Sequence, residues 1–308
     1  MNDEAGFERL YVTASDGLSL FGRDYRPPRP DFTPVVCLPG LTRNSADFHE
    51  LASFLSQHHE TPRRVIALDY RGRGESGYDS DWKKYDPRVE AQDALDFLTA
   101  VGVHEAIFVG TSRGGLIIYA LAVMRPALLR GAVLNDIGAV VEIEGLKRIR
   151  SYVGKLPPPR TYDEAAEILQ KITGGQFVGF SQAEWLRNAR RTFAEKNGKL
   201  APRYDLSLMK GLALIDLEKP LPDLWPLFMG LRDFPVLVLR GANSDLLSAA
   251  TVAEMTMRHP NCAAVEVANE GHAPLLADQP TLCAIEAFCA RAEARPREPL
   301  AAAETSSA

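Results

Sequence analysis

The sequence predicts an α/β fold, a largely parallel sheet covered by helices on both faces and interrupted once by a long helical insertion. Three observations carry this. Short apolar runs of strand length alternate with runs of helix length in both the first and the last part of the chain. The strand-like runs are apolar throughout, as expected of strands buried on both faces. From about residue 140 to residue 233 the alternation stops and the pattern becomes helical.

The elements follow in order. Residues 11–25 hold two alternating stretches around Asp16-Gly17, a strong hairpin signal. Residues 34–40 (PVVCLPG) read as a strand ending in Pro-Gly, residues 48–58 as a helix, and residues 64–69 as a strand. Residues 86–102 read as a helix with Asp86 as N-cap and Pro87 in the first helical position. Strand 106–109, helix 113–124 and strand 131–136 follow. In the insertion, residues 142–155, 162–173, 182–197 and 205–217 read as helices. The strand rhythm resumes at 234–241 and 263–269, with helices at 249–258 and 281–294. The expected organisation is a first core part at 1–139, an insertion at 140–233 and a second core part at 234–294. The polar, Pro- and Ala-rich tail at 295–308 is expected to be disordered.

Composition narrows the function classes. The 308 residues carry a formal net charge of −5, which argues against a non-specific nucleic-acid binder. The longest apolar run, Leu116 to Met124, stops at Arg125-Pro126 and is too short to span a bilayer. The first ten residues lack the apolar stretch of a signal peptide. The four cysteines, Cys37, Cys262, Cys283 and Cys289, have no metal-ligand spacing and read as free thiols. The expectation is a cytoplasmic protein acting on a small molecule, with no membrane, nucleic acid, metal or cofactor; the oligomeric state is not legible.

Gly110-Thr-Ser112-Arg-Gly114 stands between a strand and a helix. A G-x-S-x-G sequence in that context makes a strained turn that exposes the serine hydroxyl above the sheet. The N–H of Arg113 then lies at a helix N-terminus, where free donors favour developing negative charge. A nucleophilic serine needs a base and a group to orient it. His272, in Asn269-Glu-Gly-His-Ala-Pro274, follows the last strand and so shares the sheet edge of Ser112. The other five histidines are expected at the surface. Two carboxylates could orient His272: Asp245 in residues 240–247 (RGANSDLL), and Asp136 at the end of strand 131–136. Asp245 is preferred, because Ser…Asp…His is then the chain order of such triads. The second oxyanion donor is expected from Leu41, in the loop after strand 34–40. Gly72-Arg-Gly74-Glu-Ser-Gly77 spells a dinucleotide-binding pattern, but a polar loop follows it instead of a helix, so it reads as a structural turn.

Together these residues resemble the α/β-hydrolase superfamily, and within it the capped esterases, lactonases and C–C hydrolases. The resemblance rests on LPGL at 38–41, DYRGRGESG at 69–77, GTSRGG at 110–115, ANSD at 242–245 and EGHA at 270–273, in family order. It implies a mostly parallel eight-stranded sheet, a helical cap at 140–233, and an acid after strand 234–239, in favour of Asp245. It also implies cofactor-independent cleavage of a carboxylic ester or lactone by Ser112, His272 and Asp245, with Leu41 and Arg113 as oxyanion donors. The alternatives are a C–C hydrolase of aromatic ring-fission products, which would want a cation such as Arg148, Arg187, Arg190 or Arg191 near the cap, and a non-catalytic ligand receptor. The chain departs from the family at Pro39, where His is common, and at Arg113, where Met or Gln is common. A guanidinium at that position needs a partner. The expected partner is Asp136, with Glu75 and Glu142 as alternatives. Trp185, Phe193, Tyr152, Trp225 and Phe228 are candidates for an apolar substrate pocket.

Overall fold

An antiparallel hairpin opens the computed structural model, which describes residues 5–294. Its strands are β1 (Glu8–Thr13) and β2 (Ser19–Tyr25), and Gly17 takes the left-handed conformation in the turn (φ +88°). The strands β3 (Val35–Leu38), β4 (Val65–Asp69), β5 (Ala106–Thr111) and β6 (Leu129–Asn135) follow, joined by helices α1 (His49–Ser56), α2 (Pro87–Ala100) and α3 (Arg113–Met124). Asp86 caps α2 through its side chain, with Pro87 in the first turn. The tail expected to be disordered, residues 295–308, lies outside the described residues.

Between β6 and the next strand of the sheet the chain forms α4 (Ile143–Tyr152), α5 (Tyr162–Thr173), α6 (Gln182–Thr192), α7 (Leu208–Ala213) and α8 (Trp225–Met229). It also forms a small antiparallel hairpin, β7 (Phe193–Lys196) and β8 (Lys199–Pro202). The hairpin corrects the helix expected at 182–197. Its turn is Asn197-Gly198, with φ +54° and +71°, a pair that two-residue hairpins favour and helices do not. Buried Trp185, Phe193, Phe177 and Leu169 give this segment its own apolar cluster.

The sheet is completed by β9 (Val236–Gly241) and β10 (Cys262–Val267), with α9 (Ala249–Arg258) between them and α10 (Gln279–Ala294) after them. The spatial order is β1-β2-β4-β3-β5-β6-β9-β10. All neighbours from β4 to β10 run parallel, and β2 is antiparallel to both its neighbours. This is the eight-stranded, mostly parallel sheet that the resemblance implies. Alternate residues of each strand feed opposite cores. Val36, Leu38 and Phe108 pack with α2, α3 and α9, and Val35, Cys37 and Val109 pack with α1 and α10. Strand order reverses at β3, which lies between β4 and β5. A crevice opens at such a reversal, beyond the carboxyl ends of the strands. Among the described residues, no helix is long and apolar enough to cross a membrane.

Candidate active site

The turn after β5 is strained. Ser112 has φ +50° and ψ −111°, outside the regions that L-residues ordinarily occupy. Its N–H donates to the Asn135 carbonyl (2.9 Å) and its carbonyl accepts from the Gly115 N–H (2.9 Å). The glycines are required by close approach. A Cβ on Gly110 would stand 2.5 Å from the Gly114 carbonyl carbon, and a Cβ on Gly114 would stand 2.1 Å from the Leu38 carbonyl oxygen. Only with both bare can α3 start directly on the ends of β3 and β5.

Ser112 Oγ lies 3.0 Å from His272 Nε2, and His272 Nδ1 lies 2.8 Å from Asp136 Oδ2. The carboxylate that meets His272 is therefore Asp136, whereas Asp245, expected there from the sequence, bonds Arg148 instead. Asp136 is fully buried one residue past β6, with φ +53°. Its other donors are the Gly241 N–H (2.9 Å, to Oδ1) and the Ser244 hydroxyl (2.5 Å, to Oδ2). Three donors converge on one buried carboxylate facing an imidazole.

Asp245 is turned away. Ser244 Oγ accepts the N–H groups of Leu246 and Leu247, which winds the loop tightly and sends the next side chain outward. Asp245 there accepts two hydrogen bonds from Arg148 of α4, at 2.5 and 2.9 Å. Burial alone would raise its carboxyl, but the bonds from Arg148 and Gln176 carry it below the usual value. The segment that resembles the family's acid loop thus supplies Ser244, a hydrogen-bond donor to Asp136.

Two residues without a sequence signal support the base. Asn135 is fully buried and donates from Nδ2 to Thr111 Oγ1 (3.0 Å) and to the Pro274 carbonyl (2.9 Å), tying the serine turn to the histidine loop. Gln176 Oε1, from the segment between α5 and α6, accepts the His272 N–H (3.1 Å).

Leu41 follows β3 beside the serine turn, and a Cβ on Gly40 would lie 3.8 Å from the Thr111 carbonyl oxygen. Among the described residues, neither the Leu41 nor the Arg113 N–H meets a protein acceptor. The Arg113 side chain does not pair with Asp136, Glu75 or Glu142. It leans toward α2, where Nε donates to Glu90 Oε2 (2.6 Å) and Nη2 to the Tyr85 carbonyl (2.7 Å).

The five aromatic candidates separate. Trp185 and Phe193 are buried in the insertion's own cluster, and Trp225 and Phe228 join the core beneath α3; Tyr152 alone packs in the cluster that also takes in Leu41. Of the four arginines, Arg187 and Arg191 engage Glu50, Arg190 lies over the Tyr162 ring, and Arg148 holds Asp245. Two histidines expected at the surface are buried: His49 bonds the Tyr25 hydroxyl and His259 the Leu231 carbonyl. Gly72 and Gly74 form a turn with positive φ, and a Cβ on Gly74 would overlap the Asp69 carboxylate, so this segment is structural as expected. Among the described residues, no group of three or more His, Cys, Asp or Glu is arranged to hold a metal ion.

The arrangement can activate a serine hydroxyl toward a carbonyl carbon. Residues 35–287 match the model of the alpha/beta hydrolase family. A curated relative, the 3-hydroxybutyrate-oligomer hydrolase of Cupriavidus necator, is 32% identical over 79% of this chain and 84% of its own. The crystal structure of an alpha/beta hydrolase from Novosphingobium aromaticivorans is 39% identical with a TM-score of 0.84, covering 93% of this chain and 99% of that one. The structure of E-2-(acetamidomethylene)succinate hydrolase is 25% identical with a TM-score of 0.74, over 92% and 98% of the two chains.

Proposed function

The chain belongs to the alpha/beta hydrolase family, and within it we propose a serine hydrolase of small carboxylic esters or lactones. The observation that carries this is the continuous relay Ser112 Oγ–His272 Nε2–His272 Nδ1–Asp136, with steps of 3.0 and 2.8 Å, on a strained serine turn.

In this reading Ser112 Oγ attacks the ester carbonyl carbon and His272 Nε2 takes its proton. The carbonyl oxygen becomes an oxyanion held by the N–H groups of Leu41 and Arg113. Asp136 fixes the tautomer with the proton on Nδ1 and stabilises the imidazolium. The tetrahedral adduct collapses, and His272 gives its proton to the departing alcohol. Water, deprotonated by the same nitrogen, attacks the acyl-serine. The acid is released and Ser112 regains its proton. Arg148 has no part in this sequence, since Asp245 neutralises it.

The Cupriavidus relative supports an aliphatic ester as the bond cleaved, because an oligomer of 3-hydroxybutyrate is joined by such bonds. The C–C hydrolase alternative wanted a cation near the insertion, and the four arginines considered for it are engaged by Glu50, Tyr162 and Asp245. A receptor has no use for the serine–histidine–aspartate relay. A substrate panel tests the reading: p-nitrophenyl acetate and butyrate, a γ-lactone, the 3-hydroxybutyrate dimer and trimer, and a vinylogous 1,5-diketone. Sustained turnover of the esters, absent in Ser112→Ala, is expected. Turnover of the diketone alone would establish C–C cleavage instead, and one stoichiometric burst without turnover would favour a receptor.

A further inference from the structure

Behind the two proposed oxyanion donors lies a buried charged cluster that the reaction as written does not use. Glu90, in the first turn of α2, is fully buried, and so is Arg73. Each Glu90 oxygen holds a different arginine. Oε1 accepts from Arg73 Nη1 (2.6 Å) and Oε2 from Arg113 Nε (2.6 Å). Arg73 then reaches the loop after β3, where its Nε donates to the Leu41 carbonyl (2.9 Å), and Nη1 also donates to the Arg71 carbonyl (2.8 Å). One carboxylate therefore connects residue 41, on the loop after β3, with residue 113, at the start of α3.

We infer that Glu90 is a positioning residue: through Arg73 and Arg113 it sets the spacing of the Leu41 and Arg113 N–H groups that would receive the oxyanion. The inference rests on the serine-hydrolase reading above.

Two features separate this cluster from an ordinary brace. The first is its cost. Three charges sit where apolar side chains of similar volume would be as stable or more so. Arg73 Nη2 is also buried with no hydrogen-bond partner among the described residues. The second is its charge. Two guanidiniums lie behind the place where negative charge develops, in a region of low dielectric. The guanidiniums keep Glu90 ionised: burial would raise its carboxyl, but they carry it below the usual value. Arg113 Nη2 also holds the Tyr85 carbonyl, and Tyr85 packs in the cluster that takes in Leu41, so the apolar packing and the charges tie the same two segments together.

The test compares wild type, Glu90→Gln and Arg113→Gln. Both variants keep the backbone donors. The readouts are kcat and KM for p-nitrophenyl butyrate, and the inhibition constant of butylboronic acid, which forms a tetrahedral anion on a nucleophilic serine. Melting is recorded, and kinetics are run well below it. Each variant should lose about tenfold to a hundredfold in kcat with KM nearly unchanged, less than the loss of a whole oxyanion donor. Boronate affinity should fall by the same factor. If Glu90→Gln does not fold, Arg113→Gln carries the same readouts. Unchanged kcat and boronate affinity, or a loss confined to KM, overturns the positioning role. The serine reading is tested separately by Ser112→Ala. Full activity in that variant overturns the mechanism, whereas its inactivity beside a fully active Glu90→Gln overturns this inference alone.

Discussion

Replacing Asp136 with Asn tests the proposed orienter of His272, with Asp245→Asn as its internal comparison. The buried carboxylate receives three donors, from Gly241, Ser244 and His272. An amide supplies one acceptor oxygen. With that oxygen toward His272 and Ser244, the NH2 faces the Gly241 N–H. In the other orientation the NH2 faces His272 Nδ1, which must give up its proton, so that Nε2 carries it and no longer serves as a base. Either way one donor is set against another in a buried site, which costs about 1–3 kcal/mol of stability. The loss in kcat should be about ten-thousandfold, the effect of the equivalent change in another serine hydrolase, or roughly 5.4 kcal/mol of barrier. Asp245 and Arg148 are 31% and 22% exposed, so Asp245→Asn should cost about 1 kcal/mol of stability or less, and under tenfold in kcat. Steady-state hydrolysis of p-nitrophenyl butyrate and thermal melting of each variant measure this. A loss in Asp245→Asn equal to or larger than that in Asp136→Asn would refute the assignment.

Two further outcomes follow from geometry and burial. Gly114→Ala places a Cβ 2.1 Å from the Leu38 carbonyl oxygen, so α3 must move off β3; stability should fall by about 1–3 kcal/mol and kcat with it, and an unchanged melting temperature and rate would contradict the packing argument. Burial pushes the Glu270 carboxyl up to about 7 from a reference value of 4.5. The native state then binds the extra proton, so this group makes stability fall as pH rises from about 4.5 to 7, by about 3 kcal/mol in all. Glu270→Gln should remove that slope, matching wild type at pH 4 and exceeding it at pH 8 in urea unfolding; a parallel offset at both values would show that Glu270 is not the group responsible.

The sheet was legible because its central strands are apolar on both faces and its helices carry their own start signals, as Asp86-Pro87 does for α2. The hairpin at 193–202 departs from the helix expected at 182–197 because α6 ends at Thr192 and Asn197-Gly198 is a two-residue turn. Ser112 and His272 could be named because strand–turn–helix context and sheet-edge placement are local facts. The choice between Asp136 and Asp245 was not local. Both follow strands that end on the same rim, and what decides is Ser244, which winds its loop so that Asp245 meets Arg148. Likewise, Arg113 needed a partner, and the sequence said so. That the partner is Glu90 depends on α2 lying against α3, which no spacing in the chain records.

In the proposed mechanism Ser112 is the nucleophile, made so by His272. The direct measurement is intact-mass and peptide analysis after reaction with an alkyl fluorophosphonate, which phosphonylates an activated serine. One adduct per chain, mapped to the peptide containing Ser112 and nearly absent in His272→Ala, is the predicted result. An adduct on a different residue, or labelling of Ser112 at the same rate without His272, would contradict it.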